Sequence, residues 1–173
     1  LGYGARMQGS GDQATLAIDW IAECRRMVAD IKVAFEQYPT FAERSVGVGR
    51  GAGGDNTLVV DQAAEDAVFA VLAELAERPD VAFTAISEER GTIEFGSDQV
   101  LVVVDPIDGS LNAKRVAQSY SLSVAVATGP TMDDVVFGYV YDFGADEEWA
   151  ATPGEGASLH GTALDPPQNG NAL

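Results

Sequence analysis

The run Asp105-Pro106-Ile107-Asp108-Gly109-Ser110 holds two carboxylates around a stiff turn, directly after the stretch Gln99-Val100-Leu101-Val102-Val103-Val104. The chemistry open to it is cation and phosphate binding. Consecutive aliphatics without alternation fit a strand covered on both faces. Asp105 then stands at the carboxyl end of that strand, where the chain leaves the core. Desolvation and repulsion from Asp108 both raise a carboxyl pKa there, and a bound divalent cation relieves both. Pro106 has no N–H and stiffens the turn. Gly109 permits close backbone approach, and the N–H groups of Gly109 and Ser110 can face an anion at the start of a short helix. Cations plus backbone N–H groups suit a phosphate monoester. Taken alone, the same string is also an ordinary turn, because Asp-Pro and Asp-Gly are common turn dipeptides.

Two more apolar runs end in acids. Val81-Ala82-Phe83-Thr84-Ala85-Ile86-Ser87 leads into Glu88-Glu89, with Arg90-Gly91 turning the chain. Leu58-Val59-Val60 leads into Asp61, followed by Gln62 to Val68, which opens a helix. Singly, Glu88-Glu89 reads as a solvated strand end and Asp61 as an N-cap. Only the short excursion 90–99 separates the Glu88 and Asp105 strand ends, so they converge if the two strands lie side by side. A shared site explains three such runs better than three separate accidents.

Arg50, the stretch Asp55 to Asp61, Ser87-Glu88-Glu89, Asp105 to Ser110 and Asn112 resemble, in order and spacing, the signature of the inositol monophosphatase family of magnesium-dependent phosphatases. The similarity is greatest to its archaeal-type bifunctional inositol monophosphatase/fructose-1,6-bisphosphatase branch, and it runs from about Thr15 to Leu164. It includes the strands Ser121 to Val126 and Val136 to Tyr141 and the turn Gly156 to Gly161. The resemblance implies an α+β fold: two long helices layered on a mostly antiparallel sheet, the first domain of a layered sugar-phosphatase fold.

By position, the resemblance implies Glu88, Asp105 and the Ile107 carbonyl as ligands of a first metal. Asp105 would bridge to a second metal shared with Asp108. Asp61 and Ser110 would orient and deprotonate the attacking water, and Asp108, Gly109 and Ser110 would contact the substrate. Arg50 would lie in a loop over the site. The cofactor implied is Mg²⁺, two or three ions, which suits these hard oxygen donors. The implied reaction is hydrolysis of a phosphorylated sugar or polyol, inositol 1-phosphate or fructose 1,6-bisphosphate. A nucleotide 3′-phosphatase of the same superfamily and a non-catalytic regulatory relative remain alternatives.

Two departures stand out. Arg50 replaces the lysine frequent in the family, keeping the charge and changing its geometry. The family's second domain carries a Trp-Asp segment that completes the second metal site, whereas here Trp20 precedes Ile21 and Trp149 precedes Ala150. The chain therefore reads as a fragment: a disordered or non-native leader at 1–12, a metal-binding phosphatase domain at 13–165, and at 166–173 the start of a linker to an absent carboxyl-terminal domain. The full-length protein is expected to be a cytoplasmic homodimer.

Helical spacing of Ala17, Trp20, Ile21, Cys24, Met27, Val28, Ile31, Phe35 and Tyr38 predicts one long helix over 13–38, ended by Pro39. A second helix is expected over about 62–78, stopping before Pro79. Strands are expected near 81–87, 99–104, 119–127, 134–142 and 147–152. Helices first and strands afterwards indicate α+β layering. At 173 residues and 46% hydrophobic content the chain suits one cored domain. A net charge of −17 argues against nucleic-acid or anionic-membrane partners. No apolar run is long enough to span a membrane. The single cysteine, Cys24, forms no internal disulfide and belongs in the core. Gly49-x-Gly51-x-x-Gly54 has dinucleotide-binding spacing but follows a helix and precedes a strand, the reverse of the required context. His160, the one histidine, reads as a turn residue.

Overall fold

The computed structural model describes residues 10–51, 56–117 and 119–165. Helix formation begins with α1 (Ser10–Leu16) and α2 (Trp20–Glu36), where one continuous helix was expected. The break is local chemistry: the Asp19 side chain accepts the Ala22 N–H at 3.1 Å as an N-cap, starting a new helix. The Thr15 carbonyl at the end of α1 accepts the Ile18 N–H at 3.3 Å and the Trp20 indole N–H at 3.0 Å. Ser10 to Asp12 belong to α1, and Asp12 is buried and accepts the Ser97 hydroxyl, so the expected leader ends earlier than residue 12. Residues 1–9 and 166–173, the rest of the expected leader and linker, lie outside the described residues.

A short α3 (Phe41–Arg44) carries a reciprocal cap between Thr40 and Glu43. The glycine-rich segment then forms β1 (Gly47–Arg50), antiparallel to β2 (Asn56–Leu58), rather than a loop. Helix α4 (Val59–Ala76) follows and stops before Pro79. Its inner face, Val60, Ala64, Val68, Val71, Leu72 and Leu75, packs with Cys24, Met27 and Ile31 of α2 in one core.

The main sheet runs in the order β3 (Phe83–Ser87), β4 (Gly91–Asp108), β5 (Ser121–Ala127), β6 (Val135–Asp142), β7 (Glu147–Thr152), β8 (Gly156–Leu159) and β9 (Thr162–Ala163). β4 is used twice. Residues 91–95 form a hairpin with β3, and residues 101–104 return in parallel along its other edge, with Thr84 opposite Leu101 and Ser87 opposite Val104. The expected excursion 90–99 is therefore mostly strand. All later pairings are antiparallel. Leu122, Val124 and Val126 of β5, and Phe137, Tyr139 and Tyr141 of β6, alternate inward beneath the helices. The opposite face carries Val103, 41% exposed, and Trp149, 38% exposed. β4 is thus covered on one face here, although its unbroken aliphatic run predicts two. Cys24 is buried and His160 sits in the β8–β9 turn, as expected. Among the described residues no helix is long and apolar enough to cross a membrane.

Candidate functional site

The acids meet because β3 pairs in parallel with the second part of β4. With Ser87 opposite Val104, Glu88 and Asp105 come next side by side. Glu88 lies just past the end of β3, while β4 runs on past Asp105, which pairs with Ser123 of β5, although the sequence suggested that Asp105 ends its strand. α4 brings a third and a fourth acid to the same end. Asp61 does not end a strand as the sequence suggested; it lies in the first helical turn, where its Oδ2 accepts the Leu58 N–H at 3.0 Å. A carboxylate there is favoured by the free N–H groups of a helix start, which lets Val59 and Val60 join the helix despite their β-branching. Glu65 follows one turn later on the same face.

Asp61, Glu65, Glu88, Glu89 and Asp105, with Ile107 and Ser110, line one cavity of about 110 Å³. Five of the expected site residues are thereby gathered: Asp61, Glu88, Asp105, Ile107 and Ser110. Asp108 is exposed and Gly109 half-buried, both outside that lining. Arg50 ends β1, and its side chain lies outside what the structure describes. Glu65 is the residue the sequence reading missed. Its signal was the four-residue step from Asp61, which sets two acids on one helix face.

The local electrostatics are unfavourable to free carboxylates. Burial raises the pKa of Asp105; the Ile107 N–H, 3.1 Å from Oδ1, opposes this, while the charges of Asp108, Glu88 and Asp61 add to it. Burial likewise raises Asp61, against the Leu58 N–H and with Glu89 and Glu88 reinforcing. Glu65, only 1% exposed, is pushed up to about 7 by burial, with Ser87 and Arg90 opposing. Asp61 Oδ1 and both Glu65 oxygens are buried without accepting a hydrogen bond; the Arg90 Nε stands 3.5 Å from Glu65 Oε2. Among the described residues no three acidic side chains already stand close enough to share one ion. The donor set, hard oxygens with three of them buried and unsatisfied, nevertheless fits a divalent cation.

Glycines and arginines hold the frame. Gly109 has φ +90°, and a Cβ there would lie 2.9 Å from the Ser119 carbonyl oxygen, so no other residue fits between Asp108 and Ser110 without displacement. Its neighbour Asn112 donates to the same carbonyl at 2.8 Å. A Cβ on Gly51 would meet Glu89 Oε2 at 2.1 Å, and Thr57 Oγ donates to that same oxygen, so the β1–β2 hairpin is fitted to Glu89. Arg44, buried, donates to Tyr38 O at 2.7 Å and to Ala113 O at 2.8 Å, anchoring the last turn of α5 (Ser110–Lys114). Arg90 stacks on Phe69, pairs with Asp66, and its N–H reaches Ser87 Oγ at 3.1 Å, fixing the turn after Glu89.

Comparison with known proteins finds relatives of this chain. The model of the inositol monophosphatase family matches residues 19–172. The fructose-1,6-bisphosphatase/inositol-1-monophosphatase of Archaeoglobus fulgidus is 33% identical over 141 residues, covering 82% of this chain and 52% of that protein. Its counterpart in Methanothermobacter thermautotrophicus is 38% identical over 124 residues, 66% of this chain and 43% of that one. The crystal structure of an inositol monophosphatase-fructose 1,6 bisphosphatase superposes with a TM-score of 0.69 at 27% identity, covering 86% of this chain and 55% of the other. The chain spans about half the length of the relatives it matches.

Proposed function

We propose that this chain, which belongs to the inositol monophosphatase family, is the metal-carrying part of a Mg²⁺-dependent phosphatase acting on sugar or polyol phosphate monoesters. The observation that carries the reading is the convergence of five carboxylates and Ser110 on one small cavity at the end of paired strands. Relatives named fructose-1,6-bisphosphatase/inositol-1-monophosphatase support inositol 1-phosphate and fructose 1,6-bisphosphate as substrates.

Glu88, Asp105 and the Ile107 carbonyl would hold the first Mg²⁺, and Asp105 with Asp108 a second; a third ion is compatible with the remaining acids. When bound, Mg²⁺ would screen the carboxylates from the phosphate dianion, make water more acidic and stabilise the departing alkoxide. Asp61, whose Oδ1 is buried and without a donor, would take a proton from the attacking water, directly or through the Ser110 hydroxyl. The N–H groups of Gly109 and Ser110, at a helix start without intrahelical acceptors, would hold phosphate oxygens. Arg50, at the end of β1, would add positive charge over the bound phosphate. The half of the relatives' length that this chain does not span would supply a further aspartate and most of the sugar pocket. The complete protein would be a cytoplasmic homodimer.

The test is phosphate release by the full-length polypeptide from inositol 1-phosphate and fructose 1,6-bisphosphate, with and without Mg²⁺. Release that requires Mg²⁺ and disappears in Asp105→Asn is expected. Failure to release phosphate from either substrate at any Mg²⁺ concentration would overturn the reading.

A further inference from the structure

Glu65 has no part in the chemistry assigned so far, yet among the described residues it alone has two buried side-chain oxygens without a hydrogen bond. It is 1% exposed, neither of its oxygens accepts a hydrogen bond, and it faces the cavity beside Asp61, Glu88 and Asp105. A buried carboxylate needs either hydrogen-bond donors or an opposite charge. The Ser87 hydroxyl and the Glu89 N–H lie near enough to lower its pKa, but neither reaches hydrogen-bond geometry with its oxygens. Arg90 offers an incomplete partner. Its Nε is 3.5 Å from Glu65 Oε2, while its Nη2 is bonded to Asp66 and its guanidinium plane lies 4.6 Å from the Phe69 ring centroid. The charge of Arg90 is thus shared with a second acid and directed along α4.

The helix geometry adds to the discomfort. Asp61 and Glu65 are four residues apart, so α4 sets two acids on the face it turns to the cavity, where like charges destabilise a helix. Neither can turn to solvent, because both are buried. The pair is balanced either by a proton on one of the acids or by a cation within the cavity.

We propose that Glu65 is a positioning residue of the cation site, its negative charge on the α4 wall favouring a divalent cation held by Glu88 and Asp105. This rests on the metal-dependent reading of the site. It adds to that reading a carboxylate in α4 that tightens the ion's hold through its charge beside Glu88 and Asp105, from behind the first ligand set. A purely structural alternative gives Glu65 the task of holding Arg90, and through it the Glu88-Glu89 turn.

Isothermal titration of the 173-residue chain with MgCl₂ separates the two, using wild type, Glu65→Gln and Arg90→Met. Urea denaturation in EDTA serves as the second readout. Glu65→Gln keeps shape and removes charge. Its Mg²⁺ affinity is expected to fall about 10- to 100-fold while its metal-free denaturation midpoint rises. Arg90→Met removes a competing positive charge and is expected to bind Mg²⁺ as tightly as wild type or more so. Unchanged affinity in Glu65→Gln overturns the inference, as does an Arg90→Met chain weakened to the same degree. If wild type itself takes up no Mg²⁺, the metal-dependent reading fails and the inference with it, a result visible before either variant is made.

Discussion

Replacing Gly109 with alanine tests whether the Asp108–Ser110 turn is as tightly built as the site requires. The perturbation is one methyl group, and the structure prescribes its cost in two parts. At φ +90° an alanine sits in the left-handed region, which costs an L-residue about 1–2 kcal/mol. Its Cβ would also lie 2.9 Å from the Ser119 oxygen and 3.4 Å from the Tyr120 Cα. Both are backbone atoms, and the Ser119 carbonyl is further held by Asn112. Relief requires a backbone shift, an overpacking cost of about 1–3 kcal/mol. The expected destabilisation is therefore about 2–5 kcal/mol.

Gly138→Ala supplies the internal control, because a Cβ there meets nothing within 4 Å and its φ is not left-handed. That variant should stay within about 1 kcal/mol of wild type, on the stabilising side. Urea denaturation of both variants, with m-values checked for constancy, is the assay. Two variants of equal stability would refute the reasoning, since the chemical change is identical and only the surroundings differ.

Other perturbations read other parts of the frame. Arg44→Leu leaves the Tyr38 and Ala113 carbonyls without their donor and should destabilise by about 1–3 kcal/mol in urea, with Arg44→Lys recovering part of that loss. Leu72→Ala, in a fully buried position of α4, should cost about 2–5 kcal/mol by the same measurement. Arg25 holds the buried Glu148 through two bonds of 2.7 Å, and this hydrogen-bonded pairing lowers the Glu148 pKa. A lowered carboxyl pKa stabilises the fold above its unfolded value and ceases to do so as pH falls through the folded one. The destabilisation in Arg25→Met should therefore be present at neutral pH and shrink in acid, below about pH 4, when followed by denaturation across pH.

Much of the site was legible in the sequence. An aliphatic run leading into Asp105, a second leading into Glu88 and the short excursion between them made convergence conditional on the two strands lying side by side, and the parallel register of β3 with the second part of β4 meets that condition. Asp61 lines the same cavity as Glu88 and Asp105 but belongs to a helix rather than to a strand end. Val59 and Val60 look like strand residues, and only the bond from Leu58 N–H to Asp61 shows that the helix has already begun. Glu65 was hidden among the polar residues of an amphipathic helix, where an acid ordinarily faces water. The division between α1 and α2 was illegible for a related reason: Ala17 and Ile18 continue the apolar spacing, and the cap formed by Asp19 is a local bond that periodicity does not register. β8 and β9 lie in a glycine-rich stretch that reads as turns, and they become strands because β7 offers an edge to β8 and β8 in turn offers one to β9. The open face beside Val103 and Trp149 was also unforeseen, since an apolar pattern records which faces are suited to cover, not which are covered.

The central claim is that the carboxylates gathered at the ends of β3 and β4 form a divalent-cation site. Mg²⁺ titration of the chain against its Asp105→Asn variant, followed by calorimetry at neutral pH, tests it most directly. Saturable binding by wild type and its loss in Asp105→Asn is the predicted result. Equal binding by the two chains, or none by wild type, would contradict the account.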